Sequence, residues 1–354
     1  RQMDFSELSY STCKWLAGSG GPERDVAISS RVRLARNIAG LPFVGRASSE
    51  ERRQIERSLA RELKEAPVEP PLDYMRLTNL KPVDKLFLME RHLISKEHSE
   101  ADWERGVAFN LQESASIMVN EEDHLRMQVI YDGLRLQDAW SDANQMDEIL
   151  AKRLKFAFSP KYGYLTACPT NVGTGLRVSV MLHLPALAMT RQMDKVFNAV
   201  SQMRLAVRGL YGEGTSASGD FYQISNQACL GMSEQGLLDT VAKVIPEVIS
   251  FEREARQGLL NEHKVRVQDR IYRALGLLRM ARTISSEEGL HFLSQIRMGV
   301  ALGVIDDIQM SVVNELFLLT LPAHLQKMEG RTLCSAERNE VRANYIRSRL
   351  NSGP

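Results

Sequence analysis

From Gly231 to its end the chain carries a single pattern. The stretches "SEQGLLDTVAKV", "RVQDRIYRALGLLRMAR", "SSEEGLHFLSQIRMGVALG", "SVVNELFLLTLP" and "SAERNEVRANYIRSRL" each repeat apolar residues three and four positions apart, the period of an amphipathic helix. Ser285 and Glu288 have capping-box spacing, and Gly303 is a plausible helix stop. This part of the chain is expected to form a helical C-terminal domain.

Upstream the pattern is mixed. Residues 1 to about 47 read as a short helix around Trp15, then the loop "GSGGPERD" leading into "VAISSRVRLARN". Ser48 and Glu51 announce a helix by capping-box spacing, and it ends before "APVEPP", which proline forces into an extended linker. From about 70 to 232, strand-like runs such as "SIMVN" and "LAVRG" stand between glycine turns and two or three helices. In "RVSVMLHLP", Val178, Val180, Leu182 and Leu184 alternate onto one face, the period of a half-buried strand. No internal repeat or low-complexity segment interrupts this order.

Composition narrows the class. A chain of 354 residues with 44% hydrophobic and 25% charged side chains is long enough for two or three domains with real cores. The four cysteines (Cys13, Cys168, Cys229 and Cys334) have no paired spacing, so neither a disulfide framework nor a zinc site is expected, and a reducing cytoplasm fits best. No run approaches the roughly 20 apolar residues of a membrane span. The net charge of +1 gives no reason to expect nucleic acid as a partner. That balance hides a bias, since 33 of the 45 basic residues are arginine. Arginine presents a planar fork of donors suited to carboxylate and phosphate, although genomic composition produces the same bias.

Three short signals carry chemistry. "CPTNVGTGLR" sets Cys168, a glycine turn and Arg177 within ten residues. The turn has neither the lysine of a phosphate-binding loop nor the three-glycine spacing of a dinucleotide fingerprint, and alone it reads as a strand-to-strand turn. Arg31 and Arg33 in "SSRVR", Arg126 in "NEEDHLR" and Arg208 in "VRGLYGE" add further guanidinium groups at separate strand ends. Together they suit a triphosphate, and singly each reads as a solvated or ion-paired surface residue. Glu121, Glu122 and Asp123 are consecutive after an apolar strand; such a cluster calls for a cation or a proton, or else is a solvated acidic turn. Glu213 lies in a glycine-rich loop able to close over a ligand.

"CPTNVGTGLR", "NEEDHLR", "SSRVRLARN" and "VRGLYGEG" followed by "QISNQACLGMSE" together resemble the phosphagen (guanidino) kinases, in that family's order and over roughly residues 26–234. The resemblance implies an α+β fold: an antiparallel sheet flanked by helices, related to the catalytic domain of glutamine synthetase and followed here by the all-helical C-terminal domain. It places a catalytic domain at 1–255 and a dimerisation or regulatory domain at 256–354. Only about 25 residues precede "DVAISSRVR", so the small N-terminal domain of the free-amino-acid guanidino kinases is expected to be missing. That combination is similar to the bacterial protein arginine kinases, whose acceptor arrives attached to a protein.

The resemblance also assigns roles. Glu122 is the candidate base and orienter of the acceptor guanidinium, Glu213 the second carboxylate on its other edge, and Cys168 an electrostatic and positioning partner, with Glu121 and Asp123 in the same acidic pocket. Arg31, Arg33, Arg126, Arg177 and Arg208 match the family's phosphate-binding arginines, and His92 aligns with the histidine that packs on adenine. A packed or exposed histidine is the other reading of His92, and His124 stands behind the acidic turn. ATP with Mg²⁺ is the implied donor, and no protein-held metal site is expected. The implied partners are proteins with exposed arginines, the class III heat-shock repressor, a zinc-finger activator protein, the Clp ATPase and a second copy of the chain.

Near the C-terminus, Arg338-Asn339-Glu340-Val341-Arg342-Ala343 stands where the family has an Arg-Asp-x-x-Arg-Ala motif for allosteric phosphoarginine. Asn339 lacks the aspartate charge, which puts that site in doubt. Two other functions remain open on the residues: a phosphoarginine-binding adaptor for the Clp ATPase, and a kinase of a free guanidino compound.

Overall fold

A computed structural model of the chain describes residues 5–17, 20–209 and 218–351. Two short helices, α1 (Phe5–Ser9) and α2 (Lys14–Ala17), precede the strand β1 (Ala27–Arg36). Then come α3 (Ser49–Glu65), β2 (Asp73–Arg76), α4 (Pro82–Glu90), α5 (Lys96–Glu100), β3 (Gly106–Phe109), β4 (Ala115–Val119), β5 (Leu125–Asp132) and α6 (Leu136–Ala151). A small hairpin of β6 (Phe158–Ser159) and β7 (Gly163–Tyr164) leads to β8 (Leu176–His183), α7 (Pro185–Met189), α8 (Met193–Gln202), β9 (Leu205–Gly209) and β10 (Phe221–Asn226). The remainder is helical: α9 (Glu234–Met280), α10 (Ser286–Ala301), α11 (Met310–Leu319), α12 (Pro322–Met328) and α13 (Ser335–Asn351). Among these residues no helix is long and apolar enough to cross a membrane.

Eight strands form one antiparallel sheet in the order β2-β3-β4-β5-β1-β8-β10-β9. Its two faces are used differently. One is sealed by α3, α6 and the first half of α9, where Leu59, Ala143 and Val241 meet the alternating set Val178, Val180 and Leu182 of β8. Burying each such aliphatic side chain is worth about 1.5–3 kcal/mol, which fixes the register of the strand. The opposite face carries two smaller cores. Phe5, Phe87, Phe109 and Met118 form one around α1 and α4, while Trp15, Ile28, Met181, Phe221 and Phe317 form the other, where α2 and the C-terminal helices meet the sheet.

Both capping boxes expected from spacing are present, Ser48 with Glu51 and Ser285 with Glu288, each side chain bonding the other's backbone amide. Gly303, at φ 67°, follows the end of α10. The two helical stretches expected after Gly231 are one helix, α9, with Pro246 inside it and non-helical angles at His263, so residue 255 lies within a continuous element. The intervening "SFEREARQGLLNEHK" lacks an apolar stripe because its inward positions are charged. Glu252 and Arg256 pair at 2.7 Å in full burial, and the Glu252 carboxylate accepts from the Ala186 and Leu187 amides at the start of α7.

A second buried carboxylate joins the two parts of the chain. Glu90, at the end of α4, accepts from the Ala323 and His324 amides of α12 and meets His324 Nδ1 at 2.7 Å, with the Arg338 and Arg342 charges nearby. Burial raises its pKa to about 8 against the pull of those donors, and burial together with Arg91 lowers that of His324. A carboxyl raised on folding stabilises the fold fully below its ordinary range and loses that contribution as pH rises through about 8. His324 acts in the opposite sense below about pH 6.5, its unfolded pKa. The window left to Glu90 alone therefore runs from there to about 8. Melting temperature is expected to fall across that window in the native chain and to fall less in Glu90→Gln.

Candidate active site

Strand register assembles the arginines. Arg31 and Arg33 occupy alternate positions of β1 and share a face. Across the ladder Arg33 stands opposite Arg177 of β8 and opposite Gln128 of β5, two residues along from Arg126. On β10, Gln223 pairs with Arg208 of β9 and its amide oxygen accepts from Arg31 Nη2 at 2.5 Å. Arg177 donates to the Ser225 hydroxyl at 3.1 Å. All five arginines therefore lie in one row on the face opposite the main core, and four of them, with His92, line a cavity of about 540 Å³.

The row is electrostatically strained. Burial, then the Arg126 and Arg177 charges, push Arg31 down to about 10, and Arg33 is lowered by burial and by Arg31, Arg126 and Arg177. Arg33 Nε is buried without a hydrogen-bond partner among the described residues. An anion placed here would relieve the repulsion and satisfy the donor. The residues thus fit a polyphosphate, and Mg²⁺, which is held largely through substrate phosphates and water, would come with it.

At the edge of this row β4 turns into β5 through Asn120, at φ 59°, whose amide donates to the His124 carbonyl at 3.1 Å. The three acidic residues that follow have different fates. Glu121 is buried, and its Oε1 accepts from Arg126 Nη1 at 2.6 Å and from the Ser95 hydroxyl at 2.6 Å. Burial opposes its ionisation, but Arg126, Ser95 and the Glu122 amide hold it below the usual carboxylate range. Asp123 also points inward: its Oδ1 accepts from Asn37 Nδ2 at 2.5 Å and from the Ala167 amide at 2.7 Å. Burial is the largest influence raising its pKa. Glu122 alone is exposed, its carboxylate accepting no hydrogen bond among the described residues. Partial burial, then Asp123 and Glu121, raise its pKa.

Asp123 thereby ties the acidic turn to the loop that begins at Ala167 and carries Cys168. The Cys168 thiol is partly exposed, 3.0 Å from the Thr170 hydroxyl. His124 braces the same corner from behind. Its Nδ1 accepts from the Ile38 amide at 3.0 Å, so Nε2 is the protonated nitrogen, donating to the Pro42 carbonyl at 2.9 Å. Burial lowers its pKa and favours that neutral form.

The glycine turn after Cys168 is a packing device of the chain itself. Gly175, at φ 66°, passes so close to β1 that a Cβ there would lie 2.6 Å from the Ala35 carbonyl. Arg36 secures the approach, its Nη1 donating to the Thr174 and Ala35 carbonyls at 2.9 Å each. Its other nitrogens grip Asp147 of α6 bidentately at 3.0 and 2.8 Å, and Tyr164 covers the guanidinium face at 3.5 Å. Arg36, Asn37, Ser95 and Gln223 were not singled out in the sequence. Arg36 and Asn37 sit within "RLARN", where a charged and an amide residue close an otherwise apolar strand end; Ser95 and Gln223 give no such signal.

His92 lies at φ 59° with its carbonyl accepting from Gln128 Nε2 at 2.7 Å. Its ring meets Trp15 edge-on at 5.1 Å, and burial, Arg31 and Arg33 hold it neutral, down to about 3. Glu213 lies outside the described residues. Arg338, Asn339 and Arg342 sit on α13. The buried Arg342 fork is engaged with the Thr320 and Ile284 carbonyls, the Ser286 hydroxyl and Asn339 Oδ1, all within 2.9 Å, and Arg338 donates to the Leu333 carbonyl at 2.7 Å.

Residues 54–255 match the family described as ATP:guanido phosphotransferase, C-terminal catalytic domain, and residues 264–354 match the protein-arginine kinase McsB C-terminal domain. A protein-arginine kinase of Halothermothrix orenii is 46% identical over 95% of this chain and 96% of its own, and one of Symbiobacterium thermophilum is 46% identical over 99% and 100%. The chain belongs to the protein-arginine kinase family. It is accordingly a phosphotransferase, and the antiparallel sheet with flanking helices described above is similar to the fold of solved guanidino kinases. Among solved structures, a duplicated taurocyamine kinase from Schistosoma mansoni aligns with a TM-score of 0.60 at 29% identity, over 69% of this chain and 36% of its own. A lombricine kinase aligns with a TM-score of 0.59 at 26% identity, over 70% and 73%.

Proposed function

We propose that this chain transfers the γ-phosphoryl group of Mg-ATP to the guanidinium of arginine side chains in proteins. The observation that carries the reading is the arginine row with Glu122 beside it, an exposed carboxylate whose charge acts on Arg126 and which accepts no hydrogen bond among the described residues. A protonated guanidinium has no lone pair to offer phosphorus, so it must lose a proton as the bond forms. Glu122 accepts that proton from the attacking nitrogen while the N–P bond forms and the bond from the γ-phosphorus to the bridging oxygen breaks, releasing ADP. A carboxylate raised above its ordinary pKa is a better base than a relaxed one, and the shift at Glu122 is in that direction. Arg31, Arg33, Arg126, Arg177 and Arg208 neutralise the charge of a loose, metaphosphate-like transition state. Mg²⁺ arriving with the phosphates of this row would supply further charge neutralisation.

Glu121 acts in this reading by holding Arg126, and Asp123 by holding the Cys168 loop against the acidic turn, so neither needs to touch the acceptor. Cys168 serves as an electrostatic and positioning partner, and Glu213 as the second carboxylate on the acceptor fork. Arg342 is a structural tie, since its own chain saturates its donors. The same family reading extends to marking proteins for Clp-dependent degradation, inactivating a heat-shock repressor, activation by a zinc-finger protein, a homodimer and a cytoplasmic setting.

The test is incubation with Mg-ATP and casein, followed by mass spectrometry for acid-labile phosphate on arginine. Phosphoarginine on the protein is the expected result. Its absence even with the activator added, while ATP still binds, would overturn the proposal in favour of an adaptor. ADP release with free arginine alone would point to a kinase of a free guanidino compound.

A further inference from the structure

Trp15 is 4% exposed, yet its indole Nε1–H has no hydrogen-bond partner among the described residues. Buried donors are rarely left unpaired, because stranding one costs about 1–3 kcal/mol. The backbone on either side of Trp15 is fastened to neighbouring elements. Asn314 of α11 donates to the Leu16 carbonyl at 3.2 Å, and Arg91 donates to the Leu8 and Ser11 carbonyls at 2.9 Å each. Trp15 lines the same cavity as the arginines and packs edge-on against His92 at 5.1 Å. The cavity has two chemical ends: the arginine row at one, and at the other an apolar wall that includes Met181, Phe221, Phe317 and Leu321.

We propose that Trp15 contacts the base of the bound nucleotide, its indole N–H donating to a purine ring nitrogen while the apolar wall and His92 enclose the ring. Indole is a donor only, so its natural partner is an unprotonated ring nitrogen, which a purine presents on its edge. A flat heteroaromatic ring suits the apolar end, and the phosphates then reach the arginines. The inference rests on the reading of the arginine row as the ATP site. It adds that the N-terminal segment, and α11 behind it, complete the base end of that site.

Calorimetric titration of the wild type and of Trp15→Phe with ATP and with inorganic tripolyphosphate tests it. The variant keeps the aromatic ring and loses only the donor. ATP is expected to bind Trp15→Phe about five- to tenfold more weakly, the worth of one hydrogen bond, with tripolyphosphate unchanged. Unchanged ATP affinity, or equal weakening for both ligands, would overturn the proposal, the latter by making Trp15 a structural residue. If neither ligand binds the wild type, the ATP reading itself fails and the inference with it.

A second readout needs no change at Trp15. The chain has three tryptophans, so labelling with 5-fluorotryptophan gives three fluorine resonances, with Trp15 assigned by elimination in Trp103→Phe and Trp140→Phe. That resonance is expected to shift with ATP and to stay in place with tripolyphosphate; the same shift with both ligands, or none with ATP, would overturn the contact.

Discussion

Replacing Glu122 with glutamine is expected to lower kcat for phosphoarginine formation by about two to four orders of magnitude, the usual worth of a positioned general base. ATP affinity should not weaken, because Glu122 bonds to none of the five arginines. Its pKa lies above the ordinary carboxylate value because burial and the neighbouring Asp123 and Glu121 disfavour its charge. The base must be ionised to act, so the wild-type rate should climb with pH through that raised value and level off above it. The residual activity of Glu122→Gln should lack this limb. Single-turnover kinetics across pH, with nucleotide titration alongside, separates the two effects. A variant that kept its rate, or lost ATP binding in proportion, would remove Glu122 from the role of base.

The largest effect on stability is expected at Asp147. Its carboxylate holds both Nε and Nη2 of Arg36, whose side chain is 2% exposed. Removing one partner of a buried pair strands the other charge, so Asp147→Ala should cost about 3–5 kcal/mol in denaturant unfolding. Arg36 also fastens the Thr174 carbonyl, so the same variant should release the turn after Cys168, read as faster amide exchange over residues 173–176. The double variant Arg36→Met, Asp147→Leu should recover much of the stability, because an apolar pair of similar volume avoids the desolvation cost. It should not restore slow exchange, since Met offers no donor to Thr174. Recovery of both would show that the turn is held by packing alone.

The elements that sequence made legible are those governed by periodicity. Val178, Val180 and Leu182 announce β8, and the Ser48 and Ser285 boxes announce the starts of α3 and α10. Polar burial was harder to read. The Glu252–Arg256 pair carries α9 through a stretch with no apolar stripe, and only the fold shows that those charges face inward. The same limit applied at the site. Sequence brought Glu121, Glu122 and Asp123 together as one acidic cluster. Their separate environments depend on Arg126 of the same stretch and on Ser95, Asn37 and Ala167, which come from three other segments. Trp15 was legible as a helix marker, whereas its unpaired donor depends on which surface α2 packs against.

A compound that competed with nucleotide from the apolar end of the cavity would rest on Leu290, Phe317, Leu318 and Leu321. Those side chains belong to the region matching the McsB C-terminal domain, outside the residues that match the guanido phosphotransferase catalytic domain. An inhibitor built against this wall would discriminate between this chain and guanidino kinases without such helices. One confined to the arginine row would not.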